Sequence, residues 1–120
     1  MYDNPIYQTY TLAASAIDTA GTKLSVVGPA GTKGRLVSIG SVVVNDVTVA
    51  ASTVNVGITG TLAKYGTLSV PISSAAAVAN AATISTSDSN EMPADTAVLI
   101  SAGGEATAGD ADLTVTIAWY

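Results

Sequence analysis

Nine carboxylates, three lysines and one arginine are the only ionic side chains in this 120-residue sequence, which holds no histidine and no cysteine. That inventory sets most of the available chemistry. An imidazole base, a thiolate nucleophile and a zinc, haem or iron–sulfur site of ordinary type are excluded. The acids gather in two runs: Asp88, Glu91 and Asp95 around Pro93, and Glu105, Asp110 and Asp112 in a glycine-rich turn. Hard cations need several converging oxygens, and Asp110 and Asp112, two positions apart, project two carboxylates one way. They form a weak calcium candidate without the EF-hand spacing; acidic loops that serve solubility are the plainer reading. A glycosidase needs only two carboxylates, but five tyrosines and one tryptophan are a poor supply for a sugar platform. The expectation is no catalytic residue, no cofactor and no enzyme.

Gly28-Pro29-Ala30-Gly31-Thr32-Lys33-Gly34-Arg35 has the look of a phosphate loop. Thr32 separates Gly31 from Lys33, however, and a strand pattern follows where a phosphate loop requires a helix. A strand-to-strand turn fits better. Lys33 and Arg35 hold half of the positive charge and lie on one side of the chain, as a rim for an acidic partner or as plain solvated surface. With a net charge of −5, the sequence cannot supply the clustered bases that nucleic-acid backbones demand. Met1–Tyr10 lacks the basic-then-apolar order of a signal peptide, and no run approaches the ~18 apolar residues of a membrane span. Neither nucleic acid nor membrane is expected as a partner. The absence of cysteine fits synthesis in a reducing cytoplasm.

Positioning these groups falls to β structure. Valine, isoleucine and threonine number 14, 8 and 16, against seven leucines, and glycine and proline punctuate the chain about every ten residues. Leu113, Val115, Ile117 and Trp119 alternate with Thr114, Thr116, Ala118 and Tyr120, and Val54, Val56 and Ile58 alternate with Asn55, Gly57 and Thr59. Both are period-two patterns of strands buried on one side. Other strands are expected at Ile6–Leu12, Lys23–Val27, Leu62–Ile72 and Thr96–Ala102, with a weaker one near Ala82–Ser87. Within Arg35–Asn45, Val37 and Ile39 share one parity and Val42 and Val44 the other. The pattern predicts either a kink at Gly40-Ser41 or a strand buried on both faces. Ser73–Ala82 reads as a surface loop with room for one helical turn. The fold class expected is all-β: an antiparallel β-sandwich, a jelly roll of about eight strands. Area scaling gives a folded surface of ~5,900 Å², so a core is feasible without disulfides.

Aromatic placement is uneven. Tyr2, Tyr7, Tyr10, Trp119 and Tyr120 are five of the six rings, all near the two termini. They would make either a plug closing one end of the sandwich or a contact surface. Asn4-Pro5 ahead of Ile6-Tyr7 suggests a stiff extended arm. The expected division is residues 1–12 as arm or first strand and 13–120 as the β-sandwich domain.

The order Gly31-Thr32-Lys33-Gly34-Arg35-Leu36-Val37, then Val54-Asn55-Val56-Gly57, then Met92-Pro93-Ala94-Asp95-Thr96-Ala97-Val98-Leu99-Ile100, then Asp112-Leu113-Thr114-Val115-Thr116-Ile117-Ala118-Trp119-Tyr120 resembles the capsid decoration (cement, auxiliary head) proteins of tailed bacteriophages over about residues 20–120. Many proteins of that family are jelly rolls. The resemblance implies a virion structural protein on the capsid surface, made in the host cytoplasm. Its partners would be the major capsid protein and further copies of itself, as a homotrimer or, second, a dimer. Tyr2, Tyr7, Tyr10, Trp119, Tyr120, Lys33 and Arg35 would be the interface candidates. The alternative is a carbohydrate- or host-binding β-sandwich module of a fibre or surface appendage, since sandwiches host many functions.

Overall fold

The second half of the chain pairs with the first in reverse order. A computed structural model describes residues 5–71, 78–79, 83–84 and 91–120. These hold nine strands: β1 (Ile6–Ala16), β2 (Gly21–Val26), β3 (Gly34–Thr48), β4 (Ser52–Ile58), β5 (Thr61–Val70), β6 (Val78–Ala79), β7 (Thr83–Ile84), β8 (Val98–Ala102) and β9 (Ala108–Trp119). Strands β4 and β5 make the innermost hairpin, which β3 with β6, β2 with β8 and β1 with β9 successively enclose, all antiparallel. This long hairpin is rolled up, so that β9 also pairs with β3, and β8 with β4. The first sheet runs β1-β9-β3-β6 and the second β2-β8-β4-β5-β7. That is a jelly-roll sandwich, with β7 added beside β5.

Alternation explains the core. Leu113, Val115, Ile117 and Trp119 of β9 and Ile39, Val43 and Val47 of β3 face Val54, Val56, Leu68, Val98 and Ile100 of the second sheet, and all are buried. Ile58 is only partly buried at the margin. Total accessible surface is 5800 Å², close to the scaling value for this mass.

Strand β3 departs from the expected kink. Its register on β9 steps from Leu36↔Ile117 to Ser38↔Thr116, which makes Val37 the extra residue of a bulge. Beyond it Ile39, Ser41 and Val43 point inward without a break at Gly40-Ser41, while Val42 and Val44 are exposed. Pairing with β9 sets the phase, and two outward valines imitate a change of parity. Within the expected Ser73–Ala82 loop, Val78–Ala79 pairs with Val42 and Ser41 as β6. Of Ala82–Ser87, Thr83–Ile84 is strand; the rest of both segments lies outside the described residues.

Candidate functional site

Trp119 is the last inward residue of β9, and the chain closes over it from three directions. A Cβ added at Gly28 would lie 2.4 Å from its ring, and one at Gly34 2.6 Å. Only glycine lets the backbone come so close. The Met92 sulfur would lie 3.1 Å from that same Cβ at Gly34, and Met92 is held by a two-way bridge to Gly34 (Gly34 N–H to Met92 O 3.0 Å; Met92 N–H to Gly34 O 2.8 Å). The indole Nε1–H donates to the Tyr10 hydroxyl at 3.2 Å, and that hydroxyl donates to Gln8 Oε1 at 2.7 Å. Trp119 is thus 1% exposed, a core plug and not an interface residue as one reading expected. The arm reading changes with it. Ile6 to Leu12 pairs residue by residue with Trp119 to Leu113, and β1 continues to Ala16, past the expected boundary at residue 12. Residues 6–12 are first strand; Tyr2 lies outside the described residues.

Beside this plug sits a charged corner. Lys33 and Tyr120 exchange backbone hydrogen bonds of 2.9 and 3.0 Å. The Tyr120 hydroxyl donates to Glu91 Oε2, and Lys33 Nζ approaches Glu91 Oε1 at 3.6 Å. That hydroxyl, with the Lys33 and Arg35 charges, holds the Glu91 carboxyl below the usual glutamate range. Lys33 and Arg35 both bear electrostatically on one carboxylate. Their common object is Glu91, which the sequence grouped with Asp88 and Asp95. Strand pairing brings residues 33, 91 and 120 together, and no local pattern encodes that.

The remaining acids disperse. Asp95 accepts from the Gly31 amide at 3.1 Å, Glu105 from the Thr53 hydroxyl at 2.6 Å, and Asp110 from Asn45 Nδ2 at 2.7 Å. Asp88 lies outside the described residues. Asp110 and Asp112 share the outer face of β9, opposite Asn45 and Val42. Among the described residues no three potential metal ligands converge, so the calcium candidate has two carboxylates and no third.

The outer face of the first sheet runs across β1, β9 and β3. Its rows, in that order, are Tyr7–Ala118–Arg35, Thr9–Thr116–Ser38 and Thr11–Thr114–Gly40. The Thr9 and Thr116 hydroxyls are 3.0 Å apart, one donating to the other. Thr9, Thr11, Ser38, Thr114 and Thr116 fill the middle of this face with small hydroxyl-bearing side chains, and Tyr7 stands at one margin with 63% exposure. Toward β3 this same face dips into a groove of about 470 Å³ lined by Ser38, Gly40, Ser41, Val42, Ile84 and Thr114, and among the described residues no aromatic ring lines it. The buried Ser41 hydroxyl there has no hydrogen-bond partner among the described residues. Comparison with protein-family models, with curated proteins and with solved structures finds no match to this chain.

Proposed function

We propose that this chain is a virion structural protein that binds the outer surface of a tailed-phage capsid as a homo-oligomer and cements the shell. The observation that carries the reading is the hydroxyl-rich middle of the outer face of the first sheet, built of Thr9, Thr11, Ser38, Thr114 and Thr116. These five small neutral side chains can meet another protein surface without themselves desolvating a charge, with Arg35 toward one end of the face and Asp110 and Asp112 toward the other. The jelly roll beneath gives a rigid scaffold, and Lys33, Arg35 and Tyr7 lie along one end of that face. Many copies on one shell would turn weak contacts into firm attachment, and a trimer or dimer would match the symmetry axes of an icosahedral lattice.

The sugar-binding alternative has less support. It calls for rings lining a shallow groove; here Trp119 is buried, Tyr10 is engaged with it, and among the described residues no ring lines the groove at β3. Mass spectrometry of virions from a phage that encodes the chain should find it in stoichiometric copies. Purified chain should co-sediment with shells lacking it, and Thr116→Arg, in the middle of this face, should weaken that binding at least tenfold. Absence from virions together with failure to co-sediment would defeat the reading.

A further inference from the structure

The four strands at the sheet margins are not alike. Strand β2 has six residues, and its register shift between Thr22 and Leu24 puts Lys23 at a bulge. Strands β6 and β7 have two described residues each. Short length, a bulge and a lysine are the usual devices that keep a sheet margin from pairing with another chain. Strand β1 has none of them along Ile6–Leu12. It is eleven residues long, carries no charge, proline or glycine, and its one irregularity falls later, between Leu12 and Ser15. Among the described residues only β9 pairs with it, so alternate N–H and C=O groups of β1 point away from the sheet.

We infer that the β1 margin is an interaction surface for a second copy of this chain, joined antiparallel about Thr9. The occupant follows from the residues. A strand without charge meets its own copy without repulsion. Centring the pair on Thr9 uses every residue before the irregularity: Ile6 lies opposite Leu12, Tyr7 opposite Thr11, and Gln8 opposite Tyr10. The apolar pair falls on the inner face. Gln8, already bonded to the Tyr10 hydroxyl within one chain, meets the Tyr10 of the other. The two first sheets then fuse into one of eight strands, with both threonine-lined faces on the same side. Such a contact has two-fold symmetry and closes at two copies, so it makes a dimer and not the trimer expected from the resemblance.

The inference deepens the assembly part of the capsid reading but concerns the free chain, so the two can fail separately. Sedimentation velocity of the full chain, from about 1 µM to about 1 mM, should show the 11.8 kDa mass doubling. Thr9→Lys sets two ammonium groups across the axis and should leave a monomer at every concentration. Thr9→Cys gives the chain a single thiol at a position where antiparallel Cα atoms are about 4.5–5.5 Å apart, within disulfide reach. On oxidation it should cross-link at least tenfold faster than Thr59→Cys, which is exposed in the β4–β5 turn. If Thr9→Lys fails to fold, the cysteine pair decides. A wild-type chain that stays monomeric, a folded Thr9→Lys that still dimerises, or equal cross-linking rates would each overturn the inference.

Discussion

Strands β9 and β3 lie side by side in one sheet, both with neighbours on either hand, yet they are built differently. From Gly109 to Ile117, β9 alternates between buried and partly buried without a slip. Its partner β3 shifts register three times on it, after Leu36, Val43 and Asn45. It is also followed directly by Val49, a β-branched residue at φ 75° whose flanking Thr48 C=O and Ala50 N–H are bonded at 3.0 Å. The difference teaches a division of labour. Strand β9 holds the core between β1 and β3, and β3 absorbs the bend of the rolled sheet through residues that need not pack inward.

Substitutions test that division. Removing the plug at the end of β9, Trp119→Ala, should cost about 3–5 kcal/mol in chemical denaturation, the largest effect expected. Ile117→Ala in mid-strand should cost about 2–5 kcal/mol, whereas Val42→Ala on the exposed side of β3 should stay within about 0.5 kcal/mol. Equal costs at the two sites would abolish the contrast. Val49→Gly should stabilise the fold by about 1 kcal/mol, since glycine tolerates the left-handed region that strains valine. A loss there would mean that the turn holds Val49 for its side chain.

The smallest effect is electrostatic. The Tyr120 hydroxyl, Lys33 and Arg35 keep the Glu91 carboxyl more acidic in the fold than in the open chain. In acid the unfolded chain therefore binds the extra proton, so this contribution is present above the ordinary glutamate range and is lost as pH falls through it and below. Glu91→Gln should narrow the gap between the melting temperatures at about pH 7 and about pH 3. An unchanged gap would show the corner to be inert.

The sequence made β9 and β4 readable because a strand buried on one side writes its burial into every second residue. Leu113, Val115, Ile117, Val54 and Val56 needed no tertiary knowledge. Strand β3 did not yield in the same way, since Val42 and Val44 are apolar on the outer face and only pairing with β9 shows that Val37 is the extra residue. The tyrosines and tryptophan were legible as a terminal cluster, but whether Trp119 faced inward depended on Gly28, Gly34 and Met92 meeting over it. The contacts of Glu91 were hidden for the same reason: Lys33 and Tyr120 are its neighbours in space alone.

Nested pairing also governs how the chain reaches this state. The β4–β5 hairpin joins residues a few positions apart, whereas Tyr10 and Trp119, bonded in the finished sheet, are separated by 109 positions. Closing larger loops costs more entropy, and folds dominated by distant pairings mature over about milliseconds to seconds. Assembly should therefore run from the inner hairpin outward, with β9 among the last strands to seat. Until it does, β1 and β3 both lack the partner that lies between them, and crowded refolding at that stage favours pairing between chains over pairing within one.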